Sequence, residues 1–457
     1  MRHSRAANVD VYRAKSRTLP RNKYKSRWNC HISRYDATRL SIIPTRPVHR
    51  RMRGHTVPYY KPLKNESAST RKRIVKGLRA LRQHFHDVKF PRKKTTESLI
   101  LGTWNLRNFD DDRFDYGPRE EEAYFYLAEI ISWFDVIAVQ EINVDLGPLR
   151  KLMRILGGRY KFVVTDVTHS GLGGNKERLG FIYDTNKVQF KGVAGEIVLP
   201  KKQLIGDDGE QKRQFSRTPF GAEFQSGWFK FMFTTVHIYY GSNSKGDAKY
   251  GRRVDEIKAV AKYLAAESRK SDANQILVGD FNIIEHGSAG SNALKDNGFE
   301  IVSNRRGSNR DQTKFYDQIS FRSRGNVLKL IEQPPRSQNV NGHDPKLPDR
   351  VLQFFDVVYR EQDFAIYRPI MEKRLKEKTR DAEADLAAAT SKTARKKARA
   401  RIKSKKKAMS SVAALKKYYD EWRTFQMSDH LPLWVELEVD FADEYLDYLH
   451  SWKKGEG

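Results

Sequence analysis

The run Ile276 to Ile283, Ile-Leu-Val-Gly-Asp-Phe-Asn-Ile, passes from apolar residues to a carboxylate and an amide two positions apart. A short apolar run ending in turn-forming residues reads as a buried strand. Gly279 lets the backbone bend, and strand side chains alternate between faces, so Asp280 and Asn282 point the same way from the strand's end. A carboxylate beside an amide suits a metal ion or a phosphate, although the same residue types also end ordinary strands by entering a turn. The chain repeats the arrangement. Thr103-Trp104-Asn105, Val139-Gln140-Glu141, Thr235-Val236-His237, Tyr316-Asp317 and Ser428-Asp429-His430 all bring a polar group to what reads as a strand end.

The elements that must position these groups follow from periodicity. Strands are expected at Leu99 to Trp104, Val136 to Val139, Leu179 to Tyr183, Phe229 to His237, Ile276 to Gly279, Phe315 to Phe321, Phe354 to Tyr359 and Leu433 to Val439. Helical spacing marks Ser69 to His86, Glu120 to Phe134 and Arg253 to Glu267. Strands in this number favour two packed sheets flanked by helices over a doubly wound nucleotide-binding sheet. Gly171 to Gly174 lacks the Lys-Ser/Thr of a phosphate-cradling loop and reads as a flexible loop.

Charge divides the chain of 457 residues. Met1 to Glu97 carries a net +22 and Met371 to Tyr418 a net +12, whereas the rest is near neutral at −4. Polyanion affinity is therefore expected on basic arms around a near-neutral body. We expect a largely disordered basic extension over 1–97 containing one amphipathic helix, a catalytic body over 98–440, a basic helical hairpin inserted at 370–420, and a C-terminal tail over 441–457. Ser391 to Lys407 holds ten basic residues and no acid. A single cysteine, Cys30, excludes an intramolecular disulfide and a zinc finger and fits a cytoplasmic location, with an organellar address in the basic N-terminus as the competing reading. No stretch reaches the apolar length of a membrane span. The oligomeric state is not legible.

Taken in order, the motifs resemble the endonuclease/exonuclease/phosphatase superfamily, its deoxyribonuclease I-like branch most closely. The resemblance rests on Thr103-Trp104-Asn105-Leu106, Gln140-Glu141-Ile142, Lys176-Glu177-Arg178-Leu179, Val236-His237, Gly279-Asp280-Phe281-Asn282, Tyr316-Asp317-Gln318-Ile319 and Ser428-Asp429-His430-Leu431-Pro432. It implies a four-layer α/β sandwich of two mainly antiparallel sheets between helices. It also implies hydrolysis of a phosphoric ester by water with a divalent ion, Mg2+ or Mn2+ in its place. The residues after Glu141 are Ile-Asn-Val, without the arginine some deoxyribonucleases carry there.

Magnesium prefers oxygen and takes one or two protein carboxylates while keeping water and phosphate oxygens. Glu141 is the first expected ligand, with Asn105 and Asp429 beside it. The resemblance assigns Asp280 to the attacking water, Asn282 to aligning water and phosphate, and His237 and His430 to the phosphate. It pairs Glu177 with His237 and Asp317 with His430, each carboxylate favouring the protonated imidazole; Asp356 competes with Asp317 for that place. The expected function is hydrolysis of nucleic acid, DNA before RNA, by an endonuclease or exonuclease. A phosphatase or lipid phosphodiesterase, and a non-catalytic nucleic-acid-binding protein on this fold, are the alternatives.

Overall fold

The computed structural model describes residues 57–167, 176–206, 212–270, 273–323, 328–332 and 347–451. Its elements are α1 (Ala68–Asp87), β1 (Ser98–Phe109), α2 (Glu121–Ile131), β2 (Val136–Ile142), α3 (Gly147–Leu156), β3 (Tyr160–Val164), β4 (Arg178–Asp184) and β5 (Gln189–Glu196). There follow β6 (Phe220–Ser226), β7 (Phe229–His237), α4 (Ala248–Glu267), β8 (Asn274–Asp280), α5 (Ala289–Lys295), β9 (Glu300–Ile301), β10 (Asp317–Arg322) and β11 (Lys329–Leu330). The last are α6 (Phe364–Ala388), α7 (Lys392–Ala408), α8 (Val412–Gln426), β12 (Leu433–Glu438) and α9 (Ala442–Ser451).

The strands form two six-stranded sheets, ordered β11-β12-β1-β2-β4-β3 and β5-β6-β7-β8-β10-β9. In each, the central pair is parallel, β1 with β2 and β7 with β8, and the other described pairings are antiparallel. A parallel pair needs a crossover, which α2 and α4 supply. The sheets face each other through β1, β2 and β4 on one side and β7 and β8 on the other. Phe181 of β4 meets Phe220, Phe224 and Phe233 of the second sheet at ring separations of 5.4, 5.6 and 5.0 Å. Gln140 Nε2 donates to Thr103 Oγ1 at 2.9 Å and, across the gap, to Thr235 Oγ1 at 2.8 Å, fixing the level of one sheet against the other. The helices α4 and α5 cover the outer face of the second sheet through Val260, Leu264 and Leu294. The expected α/β sandwich of two mainly antiparallel sheets between helices is the fold observed.

Several boundaries differ from the sequence reading. Packing begins before Ser98: the expected face Ile74, Leu78, Leu81 and Phe85 of α1 is buried, and Phe85 stacks on Trp133 at 4.2 Å. Because α1 lies against α2, every residue of α2 after Glu121 is buried, so part of the segment read as a largely disordered extension belongs to the core. Phe354 to Tyr359 is not a strand: Phe354–Asp356 forms one 3-10 turn, and Phe354, Phe355, Val358 and Tyr359 bury at a helix-like spacing. The hairpin expected at 370–420 is three helices. Ser391 and Ser411 accept from the N–H of Ala394 and Ala414, so each starts a new helix without glycine or proline. The expected tail at 441–457 carries α9, and the loop at Gly171 to Gly174 lies outside the described residues. Among the described residues no helix is long and apolar enough to cross a membrane.

Gly279 bears out the expected bend. Its φ is +132°, and a Cβ there would fall on the Val236 carbonyl. Gly279→Ala should therefore cost about 2 kcal/mol or more, through strain and displacement of β7 from β8. A lowered urea midpoint at unchanged m-value is the expected readout.

Candidate active site

Strand direction explains why residues far apart in sequence meet. Glu141 and His237 stand at the ends of β2 and β7, and Asp280 ends β8. The antiparallel neighbours start where these strands finish, so Glu177 just before β4, Asp317 opening β10 and His430 ahead of β12 reach the same edge. Register places His237 opposite Asp280, and Asp280 opposite Asp317. Glu141 and Asn282 hold left-handed backbone at φ +60° and +53°, which turns the chain out of each strand.

Asp280 lies at the centre and is buried. Its Oδ2 is 3.2 Å from Asn105 Nδ2, 3.5 Å from His237 Nε2 and 3.7 Å from His430 Nε2. Its Oδ1 accepts the N–H of Asn282 at 2.9 Å, while Asn282 Nδ2 donates to the Ile238 carbonyl at 2.9 Å. Asn105 reaches Asp280 from the other sheet and also donates to Glu141 Oε1 at 2.8 Å.

The histidines are paired as expected but charged differently. His430 Nδ1 lies 2.7 Å from Asp317 Oδ2. Burial opposes its protonation, yet Asp317, Asp280 and Asp429 outweigh it and hold His430 well above its ordinary value of 6.5. Asp356 is exposed on its 3-10 turn, so the competition for His430 falls to Asp317. His237 Nδ1 lies 3.0 Å from Glu177 Oε1, but Arg217 Nε binds that same oxygen. Burial and the Arg217 cation push His237 down to about 4, so this imidazole is neutral where a protonated one was expected.

Glu141 is held as a carboxylate. Burial alone would raise it, but His237 in its protonated form, the Asn105 amide, the Asn108 N–H and the His430 cation bring it below the ordinary value. Ligand atoms of Glu141, Glu177 and His237 lie within 4.8 Å of one another. The Glu141 carboxylate is a hard donor of the kind magnesium takes; Asn105, expected beside it as a ligand, turns its amide nitrogen to Glu141 and Asp280 and its oxygen to the Arg107 N–H. Asp429 is not brought into this group: its carboxylate is 42% exposed and lies 3.4 Å from Arg107 Nε.

A family model for the endonuclease/exonuclease/phosphatase family matches residues 102–369, more than half of the chain. The chain belongs to the endonuclease/exonuclease/phosphatase family. No curated protein matches it. Among solved structures, it is similar to an endonuclease/exonuclease/phosphatase family protein from Bacteroides thetaiotaomicron, at 16% identity, with 75% of this chain and 98% of that one covered and a TM-score of 0.41. It is also similar to the human Nocturnin catalytic domain with bound sulfate anion, at 13% identity, 51% and 85% coverage and a TM-score of 0.38. D. rerio TDP2 complexed with single strand DNA product gives 17% identity, 52% and 92% coverage and a TM-score of 0.34.

For a member of this family, the sequence reading missed Arg217, Arg107 and Ser428. Arg217 was findable only with β6 in hand: Phe220 pairs with Thr235, so the residues before Phe220 stand level with His237. Arg107 lies 3.8 Å over the Phe425 ring and binds Thr424 of α8, and its N–H donates to Asn105 Oδ1 at 2.9 Å. Ser428 Oγ donates to the Asn105 carbonyl at 2.6 Å and accepts the His430 N–H at 3.0 Å, tying the two sheet-edge segments together.

The charge asymmetry fixes a sign. The unfolded chain binds the His237 proton below 6.5 and the fold only near 4, so this group's contribution falls as pH drops through that window. The contribution of His430 is full below 6.5 and fades as pH rises through its raised value. NMR titration of the imidazoles in chelator should find His430 cationic well above 6.5 and His237 neutral until about 4. Arg217→Met should raise His237, and Asp317→Asn should lower His430; equal values for the two histidines in the parent would contradict the assignment.

Proposed function

We propose that this chain is a divalent-metal-dependent phosphodiesterase that hydrolyses nucleic acid, DNA in the first instance, by attack of water on phosphorus. The observation that carries the reading is the buried Asp280 carboxylate, with Asn105 3.2 Å from it and His237 and His430 at 3.5 and 3.7 Å. A carboxylate and a neutral imidazole accept a proton from water, whereas a cationic imidazole donates to phosphate oxygens. Asp280 orients and deprotonates the water. Asn282, whose amide nitrogen is spent on Ile238, keeps its amide oxygen to align that water.

His430 contacts the phosphate as a donor, and His237 contacts it as a neutral group. Asp317 and Glu177 are positioning residues that fix the imidazoles. Glu141, positioned by the Asn105 amide N–H, would hold the ion, which when bound offsets charge growing on the phosphate. Asp429 stays outside that donor set and adds to the field that keeps His430 protonated. A polyanionic substrate is favoured by the charge partition, +22 and +12 on two segments against −4 elsewhere.

Labelled plasmid, linear duplex, RNA, and inositol and lipid phosphates, each with magnesium, manganese or chelator, test the reading. Ion-dependent scission of DNA is the expected outcome. Phosphate release from monoesters or lipids without scission would replace it with a phosphatase, and activity in excess chelator would remove the ion. Asp280→Asn should lower kcat by about a thousandfold while duplex binding stays near the parent's. Glu141→Gln keeps the shape and removes the charge, so the magnesium concentration giving half-maximal rate should rise; an unchanged requirement would take Glu141 out of the ion site.

A further inference from the structure

Lys392, Lys396, Arg399, Lys403 and Lys407 recur along α7 at steps of four, three, four and four. These steps keep them on one face of the helix. The opposite face is fixed to the fold. Ala398 and Lys405 are buried there, Lys405 and Arg401 lie 2.9 and 3.4 Å from Asp115, and Lys378 of α6 joins Asp115 at 3.3 Å. The five outward cations are exposed, and among the described residues none of them has an acidic partner in the fold. Among the described residues, repulsion between neighbours a turn apart is thus left without an offsetting anion.

The stripe also has a place relative to the site. A three-residue turn, Met409 to Ser411, separates α7 from α8, and Lys405 Nζ lies 5.8 Å from the Tyr418 ring across it. α7 itself runs back along α6, with Arg401 on Asp385 and Lys406 Nζ 3.4 Å from Glu383, while Lys405 Nζ lies 5.7 Å from the Tyr116 ring, which stacks on Phe425 at 4.6 Å. Phe425 lies under the Arg107 guanidinium, which reaches Asp429 beside His430. The C-terminal end of the stripe is therefore the end joined to the active-site segment, through Tyr116 and Phe425.

We propose that the outward face of α7 is an ancillary nucleic-acid surface, holding phosphates of a long substrate away from the one being cleaved. This rests on the reading of the site as a nucleic-acid phosphodiesterase. The stripe is about 22 Å long at about 1.5 Å per residue, which matches about six base steps at about 3.4 Å. An anionic membrane is a poorer fit, because a helix lying on lipid needs an exposed apolar face, and Ala398 and Ile402 of α7 turn toward the protein.

The test replaces all five cations with glutamine, which keeps helix propensity, in the otherwise intact chain. Binding to a 30-base-pair duplex is followed across a salt series in the Asp280→Asn background, where the duplex survives. Turnover of a short ester, bis(p-nitrophenyl) phosphate, is followed with Asp280 present. Each phosphate contact contributes about −0.9 to the slope of log affinity against log salt, so the five-fold variant should flatten the slope by about 3 units or more. Its KM for the long duplex should rise while turnover of the short ester stays within about twofold, as loss of remote binding requires. Lys258→Gln with Lys262→Gln, exposed cations on α4, should move the slope by less than the α7 variant.

An unchanged slope, an equal effect from the α4 variant, or a loss confined to vesicles of phosphatidylserine would overturn the proposal. The pair Lys396→Gln with Lys403→Gln, a smaller change to the helix, should give about 2 units and is read the same way. If the parent cleaves no phosphodiester yet binds duplex with a slope that depends on α7, the activity reading fails and the surface stands.

Discussion

A buried carboxylate at the seam of two sheets must be surrounded by donors or give up its charge. Asp280 is that carboxylate, and much of the site is the set of groups that keep it company. Asn105 comes to it from the facing sheet and the Asn282 N–H from the turn that follows it, while the His237 and His430 imidazoles stand 3.5 and 3.7 Å from its Oδ2. These groups meet only if the two sheets are level. Gln140, shared between Thr103 and Thr235, sets that level, and Gly279 lets β8 run close enough to β7 for His237 and Asp280 to stand abreast.

Similar imidazole–carboxylate pairs then behave differently because of one arginine. Asp317 accepts from His430 and, among the described residues, shares its charge with no cation of comparable closeness, so the imidazole takes a proton. Glu177 is shared with Arg217, and His237 is left neutral. A proton acceptor and a proton donor thus sit on opposite sides of Asp280 at the same pH. The difference comes from a residue outside every quoted motif.

What the sequence made legible was the centre of the fold and the polar strand ends. β1, β2, β7 and β8 are apolar on both faces, and the groups at Asn105, Glu141, His237 and Asp280 interrupt that pattern. β5 was missed because it is an edge strand with most residues exposed, and so carries no alternation. With β6 also unread, no hairpin register could bring Arg217 to His237. The helix breaks at Ser391 and Ser411 escaped notice because a serine cap starts a helix as well as glycine ends one, and it leaves no gap in composition. Asp429 matched a motif by its neighbours, yet its carboxylate faces Arg107, a contact set by α8 packing and invisible in local sequence.

The pairing of β1 with β12 bears on how the protein is made. Ser98 donates to Glu436 across 338 residues, and His430 enters the site only when β12 takes its place at the edge of β1. A ribosome that has released β1, β2, β7 and β8 has exposed Asn105, Glu141, His237 and Asp280 without the imidazolium. Contacts this distant in sequence form late. The nascent chain therefore carries no complete site until the residues of β12 have emerged and paired with β1.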